Sequence, residues 1–178
     1  MTFPNKQDNV AEYLLFLWQI EDLLRVFSLD IDMIDKQLIA PTNMSEDEKK
    51  ASRDWYEGLI MMMKSEQLQE KGHLQITKNL LSELTDVHLR LLNNPRESEY
   101  IASYFKTLPH IVALRAKNED KSIPELETVF TAMYGYMLLK MQNKTISNET
   151  SQAVQQMTTM LRLLSKKYKT IDQDENPE

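Results

Sequence analysis

The residues best suited to chemistry lie in LLFLWQIEDLLRVF, residues 14–27, where three charges interrupt an otherwise apolar stretch. At about 100° per residue, Glu21, Asp22 and Arg25 project within one arc of about 100°, with Trp18 at its centre. A helix this apolar is expected to be buried, and buried charges need partners. Two hypotheses follow: a structural network in which Glu21 and Asp22 share Arg25, or the wall of a site that binds a small charged ligand beside Trp18. Paired charges on core helices are usually structural, which favours the network.

Two further candidate ligand-binding residues are His73 and Trp55. Glu70 and His73 have the Glu-x-x-His spacing by which ferritin-like bundles bind a metal pair. Neither other histidine has a glutamate at the matching position, which argues against a di-iron centre, and we predict no cofactor. His73 shares a face with apolar residues and is expected to pack partly inward. Trp55 precedes Tyr56, so one ring is expected to face the core and the other solvent or a partner.

Four acidic residues support an alternative, enzymatic hypothesis. Glu83 and Asp86 form a Glu-x-x-Asp pair, and Glu66 and Glu70 lie upstream. Magnesium-dependent, all-helical nucleotide pyrophosphohydrolases use paired acidic residues of this general kind. The upstream pair is spaced by four residues rather than three, and Glu83 and Asp86 project away from the apolar face of their helix. These four residues are therefore kept only as a weak metal-binding alternative.

Composition excludes several other classes of function. The 178 residues contain no cysteine, so disulfides, thiolate metal sites and cysteine nucleophiles are excluded. A formal charge of −6 opposes nucleic-acid binding, which depends on clustered lysine and arginine. No signal peptide and no apolar run long enough to span a membrane are recognised, so we expect a cytoplasmic protein without membrane contact. Glycine-rich phosphate loops, Gly-x-Ser-x-Gly and His-Glu-x-x-His are absent.

The elements that must position these residues are helices, since only three glycines occur and strand-type alternation is scarce. The sequence predicts an all-α, single-domain helical bundle of about six to seven helices over residues 1–169, followed by an acidic, disordered tail at 170–178. A 3-4 spacing of apolar residues predicts a first helix from about Asp8 to Phe27. Ser45 and Glu48 predict a capping box, Gly72 a turn or kink, and Pro109 a kink or restart. The predicted helices cover about 8–27, 30–39, 46–63, 73–93, 96–106 with a piece to 117, 123–142 and 147–169.

Six blocks of the chain resemble a family of small all-helical bacterial proteins, a domain of unknown function. The blocks are WQIEDLLR (18–25), LDID (29–32), RDWYEGLI (53–60), EKGHLQITKN (70–79), YFKTLPHIVALR (104–115) and IPELETVFTAMYGYMLLKMQ (123–142). The resemblance implies an all-α cytoplasmic protein with no assigned activity, and it adds no catalytic residue.

These observations favour a non-enzymatic binding or association module. Its partner would be a second copy of itself, another protein or a small ligand. A homodimer is among the expected forms, and no catalytic residue is assigned. The alternative is an enzyme similar to the magnesium-dependent nucleotide pyrophosphohydrolases.

Overall fold

The computed structural model describes residues 4–117 and 122–175, the side chains of 172–175 excepted. This part of the chain contains seven α-helices and one π-helical turn, and no strand. The helices are α1 (Val10–Val26), α2 (Ile31–Ile34), α3 (Glu46–Ser65), α4 (Gln75–Leu92), α5 (Ser98–Lys117), α6 (Glu125–Met141) and α7 (Asn148–Glu175), with the π-helical turn at Asp35–Ile39 after α2. The predicted all-α fold and the number of helices are confirmed.

The chain packs as two compact units. The first contains residues 1–15 and 80–178, and the second contains residues 16–79. In the first unit, α5, α6 and α7 pack against one another, and the α1 backbone amide of Ala11 donates to the Ser165 hydroxyl of α7 at 3.2 Å. The single-domain organisation predicted for residues 1–169 stays a prediction.

The second unit has its own apolar core, built from the end of α1, α2, the π-helical turn and α3. The fully buried members include Leu24, Ile34, Ile39 and Met63. Between α1 and α2 the chain reverses through Ser28 and Leu29, both at positive φ, and the Leu29 side chain returns to this core. Burial of these aliphatic side chains is what holds the short α2 in place, because a helix of one turn is not stable alone.

Local signals in the sequence place the start of α3 and the break before α4 correctly. Ser45 Oγ accepts from the Glu48 amide at 3.3 Å, and the Glu48 carboxylate accepts from the Ser45 amide at 2.8 Å, which is the predicted capping box. The Ser45 amide, together with the Ser45 hydroxyl that donates to the same carboxylate at 2.9 Å, lowers the pKa of the Glu48 carboxyl. Gly72, at φ +97°, lies in the loop between α3 and α4, so the predicted turn is confirmed and a single long helix is excluded.

The restart predicted as one of two alternatives at Pro109 is wrong, and the kink stays a prediction. Helix α5 runs without a break from Ser98 to Lys117, with Pro109 inside it. Proline removes the amide that would bond to the carbonyl of Phe105, but both residues are exposed, so water can satisfy that carbonyl.

The carboxyl-terminal region differs from the expectation in extent. Helix α7 continues to Glu175, beyond the start of the tail predicted at 170–178, and residues 176–178 lie outside the described residues. Disorder of the tail stays a prediction.

Candidate functional site

Glu21 is the centre of the charged cluster on α1, and its carboxylate is almost completely buried, at 1% exposure. One oxygen accepts from the Leu74 backbone amide at 3.0 Å and from the Thr77 hydroxyl at 2.8 Å. The other lies 2.6 Å from Nδ1 of His73. Glu21 therefore binds the start of α4. The predicted sharing of Arg25 between Glu21 and Asp22 is wrong, because Arg25 pairs with Asp22.

The imidazole of His73 is held from two directions. Because a carboxylate accepts hydrogen bonds, Nδ1 donates to Glu21, and Nε2 is left on the opposite side of the ring. The ring also stacks on the indole of Trp18, with centroids 4.4 Å apart and planes inclined by 19°. Trp18 is buried, whereas 39% of the His73 side chain is exposed.

Arg25 fastens the loop between α3 and α4. Its guanidinium pairs with the Asp22 carboxylate at 2.8 Å. It also donates to two carbonyl oxygens of the loop, that of Leu68 at 3.1 Å and that of Gly72. A planar fork of five N–H donors suits this use, because several fixed acceptors can be bound at once.

Trp18, Glu21, Asp22 and Arg25 lie together, as the helical spacing predicted, and His73 joins them from the loop before α4. Their polar groups are used by the backbone and side chains of residues 68–77, which supports the structural interpretation of the cluster. Binding of a ligand beside Trp18 stays a prediction, and neither of the two cavities described below is lined by these residues.

Trp55 packs in the core of the second unit. Its ring stacks with Phe16 at 6.2 Å and meets the edge of Tyr56 at 5.0 Å. Tyr56 is buried and Trp55 is half-buried, so Tyr56 is the inward-facing ring of the predicted pair. Burial raises the pKa of the Tyr56 hydroxyl.

The four acidic residues of the enzymatic alternative have individual roles. Glu66 accepts from the Gln75 amide at 2.8 Å, at the start of α4, where the helix dipole favours a negative charge. Glu83 accepts from the Tyr168 hydroxyl at 2.9 Å and pairs with Lys6 at 3.3 Å. Glu70 and Asp86 are exposed. Within residues 4–117 and 122–171, no group of three His, Cys, Asp or Glu side chains could hold a metal ion, so the magnesium hypothesis gains no support there.

A buried polar contact between α4 and α5 was missed in the sequence. His88 is 3% exposed, and its Nδ1 lies 2.6 Å from the Tyr100 hydroxyl. Burial lowers the pKa of His88, and the negative charge of Glu125 opposes that shift. Burial likewise raises the pKa of Tyr100, while burial and a 2.7 Å hydrogen bond to Glu125 raise the pKa of Tyr104 to about 12. Only the apolar neighbours of His88 along α4, such as Leu84 and Leu91, could have signalled its burial.

A cavity of about 640 Å³ lies between α5, α6 and the beginning of α7. Its walls are mostly small or apolar side chains, and a few polar groups border them. The lining comprises His110, Ala113, Leu114, Lys117, Ala132, Gly135, Tyr136, Leu138, Leu139, Gln142, Glu149, Thr150, Ala153, Val154 and Met157. A Cβ added at Gly135 meets no atom within 4 Å, so the space beside this residue is open.

A second cavity, of about 720 Å³, lies at the turn between α4 and α5. Five of its eight lining residues have charged or amide side chains, including Asp86, Arg90, Asn93 and Glu97. Sites for small organic molecules are lined mainly by apolar and aromatic groups with a few placed polar groups. The first cavity fits that description better.

Comparison with known proteins places the chain in a family. The sequence profile described as domain of unknown function DUF4924 matches residues 2–175. The chain belongs to the DUF4924 family. No curated protein and no solved structure matches it.

Membership of the DUF4924 family confirms the resemblance given by the six sequence blocks. It assigns no activity, so the function has to be argued from the geometry of this member. Across the described part of the chain, no helix is long and apolar enough to cross a membrane. The cytoplasmic location stays a prediction.

Proposed function

We propose that this protein is a non-enzymatic, α-helical binding module and that the cavity between α5, α6 and α7 holds a small amphipathic organic molecule. The observation that carries the proposal is the cavity itself, about 640 Å³ in volume and open beside Gly135. Pockets for small molecules in proteins usually measure about 300–1,000 Å³. This volume therefore suits one ligand of moderate size.

The lining indicates the chemistry of the ligand. Leu114, Leu138, Val154 and Met157 offer aliphatic and thioether surface, which favours an apolar body. Polar groups at the border include His110, whose Nε2 lies 3.1 Å from the Gln156 amide oxygen. A ligand with an apolar body and one hydrogen-bonding head group would satisfy both parts of the lining.

The sharpest test fills the cavity from Gly135. In Gly135→Leu the new side chain projects into the open space, so we expect binding of the amphipathic dye anilinonaphthalene sulfonate to weaken by about tenfold or more. Dye fluorescence measures the affinity in both the parent protein and the variant. Because leucine replaces a mid-helix glycine, the free energy of unfolding of the variant should rise by about 0.5–1 kcal/mol.

Gly58→Leu is the matched control. Gly58 also lies in the middle of a helix, α3, and an added Cβ there also meets nothing within 4 Å. It lies outside the lining of the cavity, so we expect the same gain in stability and unchanged dye binding. Equal loss of binding in both variants, or no saturable binding by the parent, would reject the proposal.

The enzymatic alternative makes a separate prediction. A magnesium-dependent hydrolase that uses Glu66, Glu70, Glu83 and Asp86 would bind Mg²⁺ or Mn²⁺ and release phosphate from nucleotides. Isothermal titration with either ion, together with a phosphate-release screen, distinguishes the two functions. Metal binding that is lost in Glu83→Gln would favour the enzyme.

A further inference from the structure

The solvent-facing side of α5 carries an apolar stripe. Ala102, Phe105, Pro109 and Val112 follow one another at spacings of three, four and three residues, and all four are exposed. Phe105 is 60% exposed and Val112 is 57% exposed. This spacing is the one by which helices pair along a seam.

The stripe lies opposite the buried face of α5. The buried residues of α5 include Tyr100, Thr107 and Ile111, which project roughly 160–180° from Pro109 around the helix axis. A surface helix normally presents polar residues opposite its buried face. Large exposed apolar residues aligned in this way are typical of a protein–protein contact.

The charges beside the stripe indicate what covers it. Glu99 and Lys117 are both exposed, and both project about 80° to the same side of Pro109. They lie nine residues to either side of Leu108. Phe105 and Val112 lie symmetrically about the point between Leu108 and Pro109. Glu99, Lys117, Phe105 and Val112 therefore share, to within half a residue, one centre. Lys106, which is exposed and projects about 60° to the same side of Pro109, lies within this surface without an acidic residue at its matching position.

We infer that the stripe is the contact surface of a homodimer in which two α5 helices pack antiparallel across a twofold axis near Leu108 and Pro109. In an antiparallel pair related by a twofold axis, the same flank of both helices meets. Phe105 of one copy then packs near Val112 of the other, and each Glu99 faces a Lys117. An isologous contact of this kind closes on itself and forms no larger assembly.

The size of the surface sets the strength of association. From Glu99 to Lys117 the contact surface is about 27 Å long, and the face of one helix is about 10 Å wide. The area buried per copy is then on the order of a few hundred Å², below the roughly 800 Å² of a standard interface. We therefore expect a weak dimer, with a dissociation constant in the micromolar range or above, on the order of 10–100 μM.

Sedimentation velocity between about 1 μM and about 1 mM protein measures this equilibrium. We expect the parent chain to shift from monomer to dimer and Phe105→Glu to stay monomeric throughout. The matched control is Met61→Glu, because Met61 is an exposed apolar residue of another helix, at 66% exposure. It should dimerise like the parent. A parent that is monomeric at the highest concentration, or a dimer that Phe105→Glu leaves unchanged, overturns the inference.

A charge exchange tests the antiparallel geometry. Glu99→Lys sets lysine against lysine twice in each dimer, so we expect the dissociation constant to rise roughly tenfold at low salt. The double variant Glu99→Lys with Lys117→Glu restores both pairs, and the dimer should recover. Each charge reversal opposes the dipole of α5 and destabilises the fold. The two losses of stability would add in the double variant, so recovery of the dimer cannot come from recovery of folding. No rescue, with both variants folded, overturns the antiparallel arrangement.

Cross-linking gives an independent measurement. Because the chain has no cysteine, Pro109→Cys places a single thiol close to the proposed axis. We expect it to form a covalent dimer under mild oxidation, and Met61→Cys to form much less at the same concentration. Equal cross-linking of the two variants would contradict the proposed axis.

Discussion

At the scale of single residues, the charges on α1 organise a loop. Arg25 binds the carbonyls of Leu68 and Gly72, and Glu21 binds the amide of Leu74. Arg25 thus donates to two backbone carbonyls, and Glu21 accepts from one backbone amide, that no helix pairs. The Leu74 amide is buried and the Leu68 carbonyl is partly buried, and backbone groups removed from water need such partners, which explains why an apolar helix carries charges at these positions.

Replacing Arg25 by methionine tests this role. The variant keeps the length of the side chain but leaves the Leu68 and Gly72 carbonyls without their donor. We expect the free energy of unfolding to fall by about 1–3 kcal/mol, measured by urea denaturation. The control Asp22→Asn weakens the half-exposed ion pair, so we expect a loss below about 1 kcal/mol. A folded Arg25→Met protein with parental stability would instead favour a ligand site beside Trp18.

At the scale of elements, the loop between α3 and α4 depends on one backbone conformation. Gly72 has φ +97°, which residues with a Cβ rarely adopt, and a Cβ there would lie 3.0 Å from Cδ2 of Leu68. We expect Gly72→Ala to lower the free energy of unfolding by about 1–2 kcal/mol. Gly58→Ala, in α3 with open space around it, should raise it by up to about 1 kcal/mol. Thermal denaturation of the two variants checks the opposite signs, and a stabilised Gly72→Ala would contradict this account.

Helix ends and faces could be predicted from local signals, whereas continuity through Pro109 could not. The Ser45–Glu48 capping box and the turn at Gly72 depend on neighbouring residues only, and both occur as predicted. A helix tolerates a proline where water can reach the carbonyl four residues earlier, which loses its amide partner. That exposure depends on tertiary packing. The same limit applies to the exposed stripe of α5, since a 3-4 apolar spacing alone does not tell which face meets the core.

At the scale of the whole molecule, the candidate functional features divide between the two units. The cavity and the α5 stripe belong to residues 1–15 and 80–178, and the Trp18 cluster belongs to residues 16–79. Helical periodicity predicted the part of the Trp18 cluster that lies on α1, because Trp18, Glu21, Asp22 and Arg25 fall within two turns of that helix, whereas His73 could not be placed there from spacing. The cavity could not be predicted, because it depends on how far apart α5, α6 and α7 lie.

The pH dependence of unfolding follows from His88 in the first unit. Its pKa in the folded protein is lowered by burial, whereas in the unfolded chain it is near 6.5. The unfolded chain therefore binds a proton first as the pH falls. The contribution of neutral, buried His88 to the free energy of unfolding is complete above about pH 6.5. It is lost as the pH falls towards the pKa of His88 in the folded protein. We expect the free energy of unfolding, measured by far-UV circular dichroism in urea, to decrease from about pH 7 to about pH 5.

Two variants separate burial of His88 from its hydrogen bond to Tyr100. His88→Gln removes the titrating group, so its stability should change less with pH below about 6.5. Tyr100→Phe loses the 2.6 Å contact and about 1–2 kcal/mol of stability, yet it keeps His88 buried and should keep the parental pH dependence. If His88→Gln and the parent lost stability equally between about pH 6.5 and pH 5, other groups would control the acid response. Because burial is the larger influence on the pKa of His88, we expect only the glutamine variant to flatten the curve.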